Sequence, residues 1–196
     1  HEVSHLYLEL LQQGVGVVTC NKIACSSALK NYKALQKASI DQKVPFYYET
    51  NVGAGLPIID TLKNLIDSGD SIRSIVAVLS GSLNFIFDTY NATTSFKEVV
   101  EAAMSGGYTE PDPRIDLSGL DVKRKLLILA RESGFELELD AIQTAAFLPD
   151  GALETPNVEA FLSLLEANEQ HFASLYQEAK AKQQKLKFVA ELSVGA

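Results

Sequence analysis

Residues 15–50 read VGVVTCNKIACSSALKNYKALQKASIDQKVPFYYET and contain two short apolar runs separated by a helical pattern. The runs VGVVT at 15–19 and VPFYYET at 44–50 are rich in β-branched and aromatic residues, a composition typical of buried strands. Between them, the serine pair at 26–27 can cap a helix that continues to about residue 37. The stretch therefore predicts a strand, a helix and a second strand.

The residues before this stretch add a helix to the pattern. Residues 2–13, EVSHLYLELLQQ, carry apolar side chains at helical spacing, and Gly14 can end that helix. Residues 1–50 thus alternate helix and strand twice, which is typical of a parallel, doubly wound sheet. Such a sheet normally opens with a strand and a glycine-rich phosphate loop. Because the sequence has neither, we expect the chain to be a piece of a longer protein.

After residue 56 the pattern changes to helices with isolated strands. The predicted helices cover Pro57 to about Ser68, Asn84 to Tyr90, 95–105, Ser118 to about Ser133, and two segments of 157–184 that are broken near Ala167 and Asn168. The predicted strands are SIRSIVAVL at 71–79 and KFVAELSV at 187–194. No Asn-Gly hairpin signal joins consecutive strands, so we expect an α+β domain whose mixed sheet is covered by helices.

Composition excludes several classes of partner. The chain has 196 residues, 46% apolar and 21% charged, a balance typical of a globular protein with a sizeable core. Its net charge of −8 repels phosphate backbones and anionic lipid, so we expect neither nucleic acid nor a membrane as a partner. The sequence contains no membrane-span run and no secretory signal, which predicts a cytoplasmic protein. Cys20 and Cys25 are expected to be reduced thiols.

The stretch GGYTEPDPRIDLSGLDVKRK at 106–125 concentrates four carboxylates and ends on three consecutive cations. Its glycines and prolines keep residues 106–113 out of regular structure, and a serine or aspartate can cap the helix that follows. Asp121 and Lys125 are four residues apart and therefore share one face of that helix. The stretch predicts a shaped, charged loop that leads into a helix.

Two interpretations of this loop are open. It is either an acidic cap with a surface ion pair, worth about 0.3–0.5 kcal/mol when exposed, or a binding site. The helix continues as LLILA at 126–130, which must be buried, so Lys125 would lie beside an apolar segment. Partial desolvation there would suit a proton carrier or a carbonyl polariser, and the acids would suit a ligand with an ammonium or hydroxyl group. We favour the binding site.

The segment NVGAGLPIID at 51–60 is similar to a phosphate-binding turn but lacks the third glycine of G-x-G-x-x-G. The residues alone favour a tight turn that uses glycine for positive φ and Pro57 to start a helix. An alternative is a cation site formed by the carbonyls of the turn and the Glu49 carboxylate.

Two further turns follow predicted strands. VVTCNK at 17–22 ends with Lys22 at the carboxyl end of a strand, where a bound anion or solvent are equally good partners. SGSLNFIF at 80–87 is either a packing turn or a carboxylate site made by a helix amino end and the Ser82 hydroxyl.

The segments VVTCNK, YYETNVGAGLPII, LSGSLNFIF and GGYTEPDPRIDLSGLDVKRK occur in the order and spacing found in homoserine dehydrogenases, and the chain resembles that family over nearly its whole length. ETNVGAGLP and LLILARESG look most like the subgroup fused behind an aspartate kinase. The resemblance implies the carboxyl-terminal part of a Rossmann-type NAD(P)-binding domain at 1–55, without its glycine-rich loop. It also implies a catalytic and dimerisation domain at 56–196, incomplete at its carboxyl end.

Members of this family reduce L-aspartate 4-semialdehyde to L-homoserine with NADH or NADPH, in threonine and methionine biosynthesis, and form dimers. The resemblance makes Lys125 the acid/base, with Lys22 beside the nicotinamide. It also implies substrate contacts by Glu110, Asp121, Tyr108, Asp116 and Ser82, cofactor contacts by Lys22, Asn21 and Gly107, and a sodium ion held by Glu49 and the backbone oxygens of Val52, Ala54 and Leu56.

Two other functions stay open at this point. The chain could be a dimerisation scaffold without activity of its own, or a phosphorylating semialdehyde dehydrogenase. The latter needs a cysteine nucleophile, and neither Cys20 nor Cys25 lies in an activating motif. Since the pyrophosphate would have no glycine-rich loop to bind, we expect this chain alone to bind the cofactor poorly and to be a weak catalyst.

Overall fold

A computed structural model describes residues 3–194 as a mixed α/β protein with small sheets, which confirms the general fold class. Glu2, the first residue of the predicted amino-terminal helix, lies outside the described residues. The doubly wound, Rossmann-type arrangement stays a prediction.

The helices, in chain order, are α1 (Tyr7–Gln12), α2 (Lys22–Cys25), α3 (Leu29–Gln42), α4 (Ile58–Asp67), α5 (Gly81–Thr89), α6 (Phe96–Ser105), α7 (Arg114–Leu117), α8 (Leu120–Glu132), α9 (Val158–Ala167) and α10 (Glu169–Ala181). The strands are β1 (Val17–Val18), β2 (Phe46–Tyr47), β3 (Ser74–Ala77) and β4 (Ala190–Ser193). Short 3₁₀ segments cover Ser4–Leu6, Glu49–Asn51 and Leu139–Ala141.

The described residues form two compact units that are interleaved along the chain. The first unit takes in the described residues of His1–Leu79, Val122–Gln143 and Glu191–Ala196, and the second consists of Ser80–Asp121 and Thr144–Ala190. The predicted domain division between residues 55 and 56 stays a prediction.

In the first unit, β1 and β2 form a parallel pair with Val17 opposite Phe46 and Val18 opposite Tyr47. Val17 and Phe46 are buried, whereas Val18 and Tyr47 are 79% and 63% exposed. Successive side chains of a strand point to opposite faces, so one face of the pair supplies core residues. The two predicted strands are confirmed as elements, although each is only two residues long.

The amino terminus of α3 differs from the sequence-based prediction. Ser26 and Ser27 do not cap this helix, because their hydroxyls donate to backbone carbonyls of α2. The helix begins at Leu29, whose N–H donates to the Glu138 carboxylate at 2.9 Å. It also ends later than predicted, at Gln42. A carboxylate from a distant segment therefore satisfies the amino end of α3, where unpaired N–H groups and the helix dipole favour negative charge.

The second unit is built around an aromatic core. Phe96 is fully buried, and its ring stacks on that of Phe172 with centroids 3.9 Å apart. Tyr90 meets Phe96 edge-on at 5.4 Å. At the start of α6, Ser95 and Glu98 exchange hydrogen bonds in a capping box, which satisfies two backbone N–H groups and sets where the helix begins.

A helical turn that the sequence did not predict, α7, lies between the charged loop and α8. Gly119 separates the two helices with a φ of 70°, and Ser118 Oγ accepts the N–H of Leu120 at 3.2 Å. The residues of α8 from Leu126 to Glu132 are all buried. The prediction that LLILA is buried is therefore confirmed.

Candidate active site

Lys125, the predicted acid/base, lies on α8 in the first unit and is half-buried. Its ammonium donates to the carbonyl oxygen of Leu79 at 2.7 Å. The residues that follow it on the helix are buried, so the amine lies next to an apolar segment, as the sequence predicted. This hydrogen bond gives the amine a defined position, and its role as acid/base stays a prediction.

Asn21 and Lys22 lie directly after β1 in the first unit. Asn21 Oδ1 accepts the N–H of Ile23 at 2.9 Å and so caps α2. The Asn21 N–H donates to Thr19 Oγ1 at 3.0 Å. Lys22 is therefore the first residue of a capped helix, at the carboxyl end of a strand of the parallel pair. This is the edge at which ligands of α/β proteins bind.

The turn after β2 is a tight turn, as the residues alone predicted. Gly53 has a φ of 83°, and a Cβ there would collide with the Ile58 side chain. Both oxygens of Glu49 accept hydrogen bonds at 2.8 Å from the N–H groups of Ile59 and Asp60, in the first turn of α4. Glu49 thus caps α4.

The predicted sodium ligands lie on the same turn. Val52 is buried, Ala54 has a φ of 52°, and the carbonyl of Leu56 accepts the N–H of Ile58 at 2.9 Å. Sodium binding by Glu49 and these three carbonyls stays a prediction.

In the second unit, the Asp116 carboxylate joins the start of α5 to the charged loop. Its Oδ1 accepts the hydroxyl of Ser82 at 2.7 Å, and its Oδ2 accepts the backbone N–H of Glu110 at 2.9 Å. Ser80 caps α5 through a 3.1 Å bond from the N–H of Leu83, so the helix begins earlier than predicted. The structure therefore brings together three of the predicted substrate contacts: Ser82, Asp116 and the backbone of Glu110.

The glycine pair before the loop gives Tyr108 its position. The Tyr108 ring stacks on Phe85 with centroids 4.1 Å apart and an interplanar angle of 13°. A Cβ at Gly106 would lie 2.9 Å from that ring. Gly107 has a φ of 69° and open space where a Cβ would be. The cofactor contact at Gly107 stays a prediction.

Arg114, the first residue of α7, is a residue that sequence reasoning missed. Its Nε donates to both oxygens of Asp112 at 2.9 and 3.1 Å, and its Nη1 donates to the Thr155 carbonyl. The Arg114 guanidinium lowers the pKa of the Asp112 carboxyl, mainly through these hydrogen bonds. This bidentate pair clamps the loop. The sequence contains one signal for this pair, because Asp112 lies two residues before Arg114 with a proline between them.

A second group that sequence reasoning missed surrounds Glu132 in the first unit. Glu132 Oε1 accepts the hydroxyls of Tyr32 and Tyr48 at 2.6 and 2.7 Å, and Lys63 Nζ lies 3.4 Å from Oε2. Burial and the Glu132 carboxylate raise the pKa of both tyrosines. The thiol of Cys25 is buried, and the same two causes raise its pKa to about 12.

The predicted site residues divide between the two units. Lys22, Asn21, Lys125 and the predicted sodium ligands belong to the first, and Ser82, Gly107, Tyr108, Glu110, Asp116 and Asp121 belong to the second. A single site formed by Lys125, Glu110 and Asp121, which the roles implied by the resemblance require, therefore stays a prediction. Across residues 3–194, no three His, Cys, Asp or Glu side chains are grouped so as to hold a metal ion. Within the same range, no helix is long and apolar enough to cross a membrane.

Known proteins resemble the chain in sequence and in structure. The family model for homoserine dehydrogenase matches residues 57–196. A bifunctional aspartokinase/homoserine dehydrogenase of Haemophilus influenzae is 43% identical over 193 residues, which are 98% of this chain and 24% of that protein. A crystal structure of a protein of unknown function from Candida auris has a TM-score of 0.92 and 33% identity, over 98% of this chain and 55% of the other.

A hyperthermophilic archaeal homoserine dehydrogenase, solved in complex with NADPH, has a TM-score of 0.60 and 32% identity over 67% of this chain and 40% of its own. The fold is that of a mixed α/β protein, and its candidate residues lie on helices, after strands and on the charged loop. The chain belongs to the homoserine dehydrogenase family. It spans about a quarter of the length of the Haemophilus influenzae relative.

Proposed function

We propose that the protein reduces L-aspartate 4-semialdehyde to L-homoserine with NADPH or NADH. The observation that carries this proposal is the family match over residues 57–196, which includes the charged loop and Lys125. When bound, the nicotinamide cofactor supplies the hydride. We assign cofactor contacts to Gly107 and to Lys22, which is the first residue of α2.

The chemistry assigns a separate task to each group of residues. Hydride attack on an aldehyde builds negative charge on the carbonyl oxygen, and an ammonium at that oxygen stabilises the charge and donates a proton. We assign this task to Lys125, whose amine is oriented by the Leu79 carbonyl. Lys22 assists beside the nicotinamide, with Asn21 as a further cofactor contact.

The acids of the charged loop recognise the amino acid part of the substrate. Glu110 and Asp121 pair with the substrate ammonium, and Tyr108 and Ser82 contribute contacts. Asp116 already accepts hydrogen bonds on both oxygens, from Ser82 and from the Glu110 N–H, so it also sets the shape of the loop.

The larger assembly is part of the same proposal. Residues 1–55 would belong to a Rossmann-type cofactor domain, and residues 56–196 to the catalytic and dimerisation domain. The protein would be a cytoplasmic homodimer. The relative from Haemophilus influenzae carries an aspartokinase, but the proposal does not depend on such a fusion. Sodium would bind at the Glu49 turn through the Glu49 carboxylate and the backbone oxygens of Val52, Ala54 and Leu56.

The test is Lys125→Ala in the whole protein, assayed by loss of NADPH absorbance after addition of the aldehyde. Because the proton donor is removed, we expect kcat to fall by roughly 10²- to 10³-fold. Lys123→Ala is the matched control, since it removes a cation from the same helix and should leave kcat unchanged. A folded Lys125→Ala protein with wild-type turnover would show that Lys125 is not the proton donor. A folded wild-type protein that reduces no aldehyde would refute the proposed activity and favour a scaffold.

A further inference from the structure

Arg131, near the end of α8, ties that helix to the end of α2. Its side chain is fully buried, and Nη1 donates to the carbonyl oxygens of Cys25 and Ser27 at 2.9 and 2.8 Å. Its Nε and Nη2 donate to the carbonyl of Leu137 at 3.1 and 2.9 Å. A planar guanidinium can make these bonds simultaneously because its donors form a rigid fork, whereas a lysine ammonium lacks that fork.

The helix that Arg131 holds begins with Lys22. α2 is only four residues long, from Lys22 to Cys25. The N–H and the hydroxyl of Ser26 both bond back to the Lys22 carbonyl, at 2.9 and 2.8 Å. A displacement of the Cys25 end is therefore transmitted to Lys22 within a single turn of helix.

Glu132 holds the same end of α8 against α3, α4 and the segment that follows β2. Its side chain is 4% exposed, and one oxygen accepts the hydroxyls of Tyr32 on α3 and Tyr48 after β2. Lys63 on α4 lies 3.4 Å from the other oxygen and donates to Tyr48 Oη at 3.0 Å. A buried carboxylate with several directed partners fixes the rotation of its helix, because any other rotation leaves it unpaired.

Lys125 shares this helix. It lies seven residues before Glu132, about two helical turns away and therefore on nearly the same face. The contacts at residues 131 and 132 thus set the rotation of α8 at Lys125 and the position of α2 at Lys22. Lys22 and Lys125 belong to the same compact unit as these contacts.

We propose that Arg131 and Glu132 are positioning residues that set the placement of Lys22 relative to Lys125. This inference rests on the proposed function, in which Lys22 lies at the nicotinamide and Lys125 at the aldehyde oxygen. The distance and direction between the two lysines would therefore affect turnover. Neither Arg131 nor Glu132 need touch the substrate. Their effect on turnover passes through the two helices they join.

The test uses Arg131→Lys, which keeps the charge and removes the fork, and Glu132→Gln, which keeps the side-chain shape but replaces one acceptor oxygen with an NH2 group that cannot accept a hydrogen bond. Because a displacement of about 1 Å at reacting groups can cost roughly 10²-fold, we expect kcat to fall by about 10- to 100-fold in each variant. KM for the aldehyde should change less than about threefold, since the proposed substrate contacts belong to the second unit.

Glu136→Gln is the matched control. Glu136 pairs with Lys33 on the exposed surface, at 67% and 53% side-chain exposure, so its loss should leave kcat unchanged. Variants that melt at a lower temperature but keep wild-type kcat per folded molecule would show a merely structural effect and overturn the proposal.

A separate measurement distinguishes this inference from the proposed function. If the whole wild-type protein folds but reduces no aldehyde, the proposed function fails, and amide hydrogen exchange of this chain tests the link between the helices. The Ser26 N–H should exchange about tenfold faster in Arg131→Lys than in wild type or Glu136→Gln. Equal exchange rates in all three proteins would overturn the link.

Discussion

Two cysteines five positions apart have opposite environments. Cys20 is exposed, and Cys25 is fully buried at the end of α2. Burial in apolar surroundings disfavours the thiolate, and the nearby Glu132 carboxylate adds to this effect, so the pKa of Cys25 rises to about 12. Since the thiolate is the reactive form, Cys25 is inert in the folded protein.

We therefore expect a disulfide reagent at mildly alkaline pH to modify Cys20 quickly and Cys25 only after unfolding. Cys20→Ser should abolish the fast reaction in the native protein and leave the reaction in denaturant. The measurement is the amount of thiol released in native buffer and in guanidinium chloride. Fast labelling of the native Cys20→Ser protein would contradict the buried position of Cys25.

Helix α3 begins without a capping side chain of its own. Its N-cap residue is Ala28, and the Glu138 carboxylate binds the Leu29 N–H with both oxygens, at 2.9 and 3.1 Å. The same carboxylate lies 3.3 Å from Arg131 Nη2. The segment after α8 therefore completes α3, and the two helices are stabilised together.

Replacing Glu138 by Ala should lower the free energy of unfolding by about 1 kcal/mol, the usual cost of losing a helix cap. Glu136→Ala removes an exposed ion pair two residues away and should cost less than about 0.5 kcal/mol. Chemical denaturation of the two variants measures the difference. Equal midpoints would show that Glu138 contributes no cap.

Alkaline pH acts on the whole molecule through the groups around Glu132. Cys25, Tyr32 and Tyr48 all have a raised pKa in the folded protein, chiefly because they are buried. When the chain unfolds, they ionise at their ordinary values near 9.0 for the thiol and 10.0 for the phenols. Above those values the folded state binds more protons than the unfolded state, so stability falls as pH rises.

Denaturation at several pH values should show a free energy of unfolding that declines from about pH 9 upward. Tyr32→Phe removes one of the ionisable groups, and so it should flatten this decline even if it lowers stability at neutral pH. Tyr47→Phe changes an exposed tyrosine and should keep the wild-type slope. Identical slopes for the wild type and Tyr32→Phe would show that ionisation of Tyr32 does not cause the loss of stability at alkaline pH.

Much of the secondary structure was predictable because its causes are local. The spacing of apolar residues in α4 and α6, the capping serine at 95, and the composition around β1 and β2 all lie within a few residues of the element they specify. The order of short motifs, from VVTCNK to the charged loop, also indicates the family by itself.

The missed features have partners that are far away in the chain. Leu29 and Glu138 are 109 residues apart, Tyr32 and Glu132 are 100 apart, and Arg131 reaches the Cys25 carbonyl across 106. No local pattern indicates which of several carboxylates will bind a given N–H. For the same reason, the sequence predicted Ser26 and Ser27 as caps of α3, whereas their hydroxyls donate to carbonyls of α2.

The amino-acid sequence by itself determined the alternation of helices and strands, the charged loop with its glycines and prolines, and the family. These depend on side-chain periodicity and backbone preference, which act over a few residues. Only the tertiary structure decided that Arg131 holds the helix of Lys22, that Glu132 is buried among tyrosines, and that Asp116 joins Ser82 to the loop. Hydrogen bonding and desolvation at these groups depend on which segments pack against each other. That packing is decided by the folding of the whole chain and not by neighbouring residues.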